Sequence, residues 1–235
     1  MEHDSAALSQ FYLSPLGQVA RRLILRRLRQ FWPDLRGTRL LGYGFAPPFL
    51  RGFLGEAERV IALIPEPLGA AVWPTPSVLS TLADETALPF PDALFDRVLV
   101  VHGLESADSL RPLMRQLWRV LAPGGKLLLV VPNRTSLWSQ VERSPFANGR
   151  PFTRGQLESL LRDTMFAAER WDTALLLPPL HSRRLIGSGA SWESIGRKLW
   201  PALAGVHLLE ATKLLYAQAP PLPAGQRKRV FVPQN

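Results

Sequence analysis

Two stretches limit what this chain can fold into. Phe95–Val101 reads FDRVLVV and Lys126–Val131 reads KLLLVV. Each ends in an unbroken apolar run with no side-to-side alternation. That is the pattern of a strand covered on both faces, as in a parallel sheet. Parallel neighbours need a crossover connection, and the segment between them supplies one. Residues 107–121 put Leu110, Leu113, Met114, Leu117, Trp118 and Leu121 on one helical side, and Pro123-Gly124-Gly125 then turns the chain. A strand–helix–strand unit of this kind predicts an α/β fold around a central sheet.

The alternation extends both ways. Leu16, Val19, Leu23, Ile24, Leu28 and Phe31 recur at helical spacing, with arginines on the other side, and Pro33 stops the helix. This predicts an amphipathic helix over 16–31. Its apolar stripe suits packing on the body and suits a membrane surface equally. Thr38–Leu41 reads as a strand running into the small-residue turn Gly42-Tyr43-Gly44-Phe45-Ala46, then a helix around Phe49–Leu54. The second strand falls in Glu58–Ile64. A proline-rich loop over 65–76 follows, then a short helix or irregular piece to Leu82. Downstream, 132–152 is a polar loop, and Thr153 with Gln156 forms a capping pattern for a helix to about Arg162. Phe166–Leu177 reads as a strand, 192–199 as a helix, Val206–Lys213 as a last strand that Leu214–Tyr216 extends, and the tail from Pro220 as loop.

Composition narrows the class. The 235 residues suit one core, and 46% hydrophobic content excludes a mostly disordered chain. Without cysteine there are no disulfides or thiolate chemistry, and four scattered histidines predict no metal site. Neither a signal peptide nor a membrane span is expected, so the expected location is cytoplasmic, with a peripheral place at a membrane left open. The formal charge of +9 favours anionic partners. Arg21, Arg22, Arg26, Arg27 and Arg29, and later Arg183, Arg184 and Arg197, make a basic rim an alternative to plain solvated faces. No nucleic-acid-binding signature is present, so an anionic membrane or protein is the macromolecular partner left in view.

The segment 83–133 carries a more specific pattern. It contains Asp84, Leu88-Pro89-Phe90, Phe95-Asp96, His102-Gly103-Leu104-Glu105 and Arg119-Val120-Leu121-Ala122-Pro123-Gly124-Gly125. In order and spacing this resembles class I S-adenosylmethionine-dependent methyltransferases that act on small molecules, lipids and quinones. Gly42-Tyr43-Gly44, Trp73-Pro74, Pro132-Asn133-Arg134 and Pro145–Phe152 are similar, more narrowly, to uncharacterised bacterial methyltransferase-domain proteins. The resemblance implies one methyltransferase-like domain over 1–235. It implies a Rossmann-like, seven-stranded, mostly parallel sheet with flanking helices and an antiparallel last strand, with 132–152 as a substrate-side insertion.

It also implies S-adenosylmethionine as cofactor. Gly42, Tyr43 and Gly44 would approach it, with Trp73, Asp84 and Glu85 near the adenine. Three positions depart from the family pattern: Leu40 replaces an acid, Ala46 replaces the third glycine, and the second strand ends Leu63-Ile64-Pro65 without the ribose-binding acid. Glu66 is the nearby substitute, or else a surface glutamate. Gly44→Val is expected to remove cofactor binding with the fold kept. His102 reads as a general base or as a pocket wall, and Glu105 as the mouth of the site or a helix start. Asn133, Arg134, Trp138, Arg143, Phe146 and Arg150 suit an anionic, partly apolar acceptor, or else an ordinary stapled loop. The function implied is methyl transfer to a small or lipid-like acceptor. The alternative is a degenerate fold that binds without catalysing.

Overall fold

The structure, a computed structural model, describes residues 5–70, 72–141, 144–179, 196 and 200–215. The chain opens with helices α1 (Ser5–Leu13) and α2 (Pro15–Phe31). Strand β1 (Arg39–Gly44) leads into the short α3 (Pro47–Leu50), and β2 (Arg59–Pro65) is followed by β3 (Ser80–Ala83). Strand β4 (Phe95–Val101), helix α4 (Leu110–Val120) and strand β5 (Leu121–Pro132) are the crossover unit. Helix α5 (Arg154–Asp163) and strands β6 (Phe166–Ala174) and β7 (Val206–Lys213) complete the order.

These strands form one seven-stranded sheet in the order β3-β2-β1-β4-β5-β7-β6. The first five are parallel, and β7 runs antiparallel between β5 and β6. Each face of the sheet has its own core. One gathers α1, α2 and α3 over Leu40, Leu99, Leu128 and Leu208; the other gathers α4 and α5 over Leu41, Val98, Leu127 and Leu209. This is the Rossmann-like sheet that the resemblance implied, antiparallel strand included.

Several local expectations are corrected. A further helix, α1, precedes the amphipathic one, with Ser14 between them accepting from Gly17 N at 3.1 Å as the cap of α2. No helix stands between β2 and β3 among the described residues. A single turn over Glu66–Leu68 is followed by the proline-rich segment, and β3 is a four-residue edge strand. Strand β5 starts at Leu121, before the glycine pair, and the extra residues are absorbed by a register shift opposite Phe95 and Arg97. The expected helix over 192–199, apart from residue 196, lies outside the described residues, as do Tyr216, the tail, Arg183, Arg184 and Arg197.

The stripe on α2 is core. Leu16, Val19, Leu23, Ile24, Leu28 and Phe31 are all buried. Arg27 is buried with them and pairs with Asp172 of β6 at 3.5 Å. Arg170 lies over the Phe31 ring at 4.5 Å, and Trp32 Nε1 donates to Glu210 of β7 at 2.8 Å. The membrane reading of this stripe is therefore withdrawn. Arg22 and Arg26 remain on the exposed side.

Candidate active site

In an open parallel sheet the ligand crevice lies beyond the carboxyl ends of the strands, where the strand order reverses. Here that point lies between β1 and β4. Gly44 ends β1 with φ of +82°, a conformation that glycine adopts without strain. A Cβ there would collide with the Val101 carbonyl oxygen and with Gly103. Phe45 N donates to that same carbonyl at 2.7 Å, so the first turn is tied to the end of β4. Gly44→Val would thus break this junction, and the expectation of an intact fold is corrected. Gly42 sits mid-strand, where Leu50 and Ala46 occupy the space that a side chain would need.

The next residue after β4 is His102, with φ of +51°. Its imidazole is buried and bonded on both sides. Nδ1 lies 3.0 Å from Glu105 Oε1, and Nε2 lies 2.6 Å from the Tyr12 hydroxyl. Tyr12 is buried too, and burial, reinforced by the Glu105 charge, holds its phenol well above the ordinary range. The phenol therefore keeps its proton and donates to Nε2, which fixes the tautomer: Nδ1 carries the other proton and donates to the carboxylate. Glu105, expected at the mouth or at a helix start, is instead the inner end of a buried Tyr12–His102–Glu105 chain. The surroundings are aromatic. The Tyr12 ring lies parallel to Phe45 with centroids 6.2 Å apart and meets Phe49 edge-on at 5.3 Å; Phe146 lies 5.1 Å from the imidazole.

The remaining candidates divide into two groups. Glu66 is exposed just past β2, and its carboxylate makes no hydrogen bond among the described residues, while Ile64 and Pro65 at the strand end are buried. Asp84 is exposed past β3. One of its oxygens accepts from Thr86 N and Thr86 Oγ1, both at 2.6 Å, and these bonds lower its pKa. Glu85 accepts from Ser109 N at 2.8 Å, at the start of α4. Tyr43 is buried with its hydroxyl unpartnered, near enough to Glu85 and Asp84 for their charges to add to the effect of burial in raising its pKa. Trp73 packs in the α1–α2 core.

On the insertion, Asn133 is a brace. Its amide donates to the Ala202 and Ala204 carbonyls at 2.9 and 2.8 Å, and its oxygen accepts from Thr135. Trp138 is buried and donates to the Leu177 carbonyl at 2.8 Å. Phe146 joins Trp138, Phe11 and His102. Arg134 and Arg150 are exposed, and Arg143 lies outside the described residues. Sequence reasoning missed Tyr12. The only signal was the Ser14-Pro15 pair, a capping residue before a proline that starts α2 and so marks residues 5–13 as a separate element.

Residues 52–129 match the model of a methyltransferase domain. The chain is 32% identical over 121 residues to a demethylmenaquinone methyltransferase of Thermus thermophilus, covering 51% of this chain and 49% of that one. It thus spans about half or less of the length of the curated relatives it matches. In fold it is similar to a SAM-dependent methyltransferase of Thermotoga maritima, titled a possible histamine N-methyltransferase. The TM-score is 0.60 at 19% identity over 87% of this chain and 94% of that one. The [4+2]-cyclase SpnF shares the fold with a TM-score of 0.59 at 21% identity, over 84% and 83% of the two chains.

Proposed function

We propose that this chain, which belongs to the class I S-adenosylmethionine-dependent methyltransferases, methylates a small, partly apolar, anionic acceptor and removes its proton through Tyr12 and His102. The observation that carries this reading is the buried hydrogen-bonded chain ending at Tyr12 beside the first turn.

The residues present fit the cofactor. Past the ends of β2 and β3 stand two exposed carboxylates, Glu66 with no hydrogen bond and Asp84 with one oxygen open among the described residues, suited to ribose hydroxyls and to an adenine amine. Tyr43 Oη and Glu105 Oε2 are buried polar atoms without partners among the described residues, which a bound ligand would satisfy. S-adenosylmethionine, when bound, supplies an electrophilic methyl group. The chain's own contribution is orientation and a route for one proton. The acceptor hydroxyl passes its proton to Tyr12 Oη as Tyr12 passes its own to His102 Nε2. Glu105 then faces an imidazolium and stabilises it, as the buried acid of a catalytic triad does. Aromatic side chains around Tyr12 and Phe146 exclude water and suit a ring-bearing acceptor. The name of the Thermus relative, a demethylmenaquinone methyltransferase, makes quinol rings, with and without an anionic substituent, the first acceptors to assay.

A second reading has one observation in its favour. Buried Ile64 and Pro65 end the second strand where a ribose-binding acid belongs, which suits a fold that binds without methylating. Titration calorimetry with S-adenosylmethionine and S-adenosylhomocysteine, paired with radiolabelled methyl transfer, separates the two. Under the first reading the cofactor binds, and Tyr12→Phe loses about 100-fold or more in kcat with affinity unchanged. Absence of binding up to millimolar cofactor would establish the second.

A further inference from the structure

A cleft of about 540 Å³ opens between the start of α4 and one side of α5, lined by Leu110, Arg111, Arg134, Arg150, Phe152 and Gln156 among others. We infer that it is an oxyanion site, which takes the phosphate- or carboxylate-bearing end of the acceptor. Three arginines line it against one acid, Asp163, and that acid is already paired with Arg111 at 3.1 Å. Arg134 and Arg150 are exposed and have no ion-pair partner among the described residues. Two unneutralised guanidiniums facing one cleft repel each other until an anion enters, and each offers a planar fork that suits an oxyanion.

The backbone brings these two side chains together. Asn133 and Phe152 form a parallel bridge, Arg134 N donates to Phe152 O at 3.1 Å, and Phe152 N donates to Pro132 O at 2.9 Å. Arg150 N donates to Glu105 O at 2.9 Å. An anion held by Arg150 is therefore one backbone hydrogen bond from the residue that anchors His102. Leu110, Phe152 and Leu160 supply an apolar floor, and the volume exceeds that of a bare phosphate. The ligand class is thus an anionic group carried on an apolar body. The ligand site is inferred from the cleft and its arginines; that the ligand is the acceptor rests on the methyl-transfer reading.

The test is titration of the full chain with inorganic phosphate and with phenyl phosphate, followed by phosphorus NMR and calorimetry. S-adenosylhomocysteine affinity and the thermal midpoint are measured alongside. Phenyl phosphate is expected to bind more tightly than phosphate, and added salt to weaken both. Arg134→Glu with Arg150→Glu should lower affinity by about 10-fold or more, with thermal midpoint and S-adenosylhomocysteine affinity unmoved. The milder Arg134→Gln with Arg150→Gln should show a smaller loss of the same sign. Equal affinity in these variants overturns the site, as does no binding of either phosphate up to millimolar. Binding to phosphatidylglycerol vesicles without binding of soluble phosphates overturns it in favour of a membrane surface. Arginine-dependent phosphate binding in a chain that fails to bind S-adenosylhomocysteine upholds the site and removes the methyl-transfer reading instead.

Discussion

At the scale of single residues, Tyr12 serves both the packing and the proposed chemistry. It closes the aromatic wall and hydrogen-bonds the histidine, so Tyr12→Phe keeps the packing and removes only the hydroxyl on which the proposed proton route depends. The proposed ribose contact rests on a different kind of residue. Glu66 is exposed and makes no side-chain hydrogen bond among the described residues, so Glu66→Gln leaves the fold alone. A charge-assisted hydrogen bond contributes about 1.5–3 kcal/mol, so removing the charge should weaken S-adenosylmethionine binding by about 10-fold or more. Calorimetry reads this directly, and unchanged affinity would assign the ribose to other groups. Gly44 is a poor probe of the same question. Its neighbours are the Val101 carbonyl and Gly103, so any side chain there reports on the strand junction first.

At the scale of elements, α2 shows what periodicity can and cannot say. The apolar repeat predicted the helix to within a residue at its start, because six positions share one face. Periodicity alone left lipid and protein equally open, and only the contacts with β6 and β7 decide. Leu28 is fully buried, so Leu28→Ala should cost about 2–5 kcal/mol, read as a fall in the urea midpoint. A surface helix would show almost no change. The capping box at Thr153 was legible because its bonds run between residues three apart in sequence. Helix α1 was not, because only Ser5, Leu8 and Tyr12 of its nine residues are buried and so short a pattern carries little periodicity. Strand β3 was hidden for the opposite reason: four residues at a sheet edge need no apolar run.

At the scale of the whole molecule, the parallel core was the most legible part, since buried strands advertise themselves as continuous apolar runs. The site was legible only by position. His102, Asp84 and Glu66 stand just past the carboxyl ends of β4, β3 and β2, a position readable from motif order, but the pairing of His102 with Tyr12 spans 90 residues of sequence and leaves no local mark. Acid stability follows from another histidine. Burial, with the Arg154 charge adding to it, pushes His207 down to about 4. The unfolded chain therefore takes up this proton first as pH falls. The stabilising contribution is complete above about 6.5 and is lost between there and 4, on the order of 3 kcal/mol. Urea midpoints at pH 7.5 and 5 should differ in the wild type, and His207→Gln should narrow the difference. The order of the strands carries a consequence for how this chain is made. Strand β7 lies between β5 and β6, so on the ribosome β6 emerges with no neighbour to pair with and waits for the strand that follows it. The face of α2 waits as well, since Trp32 finds Glu210 only 178 residues later. Until the last strand arrives, the nascent chain presents an unpaired edge and an uncovered helix together, the two features that invite aggregation and chaperone capture.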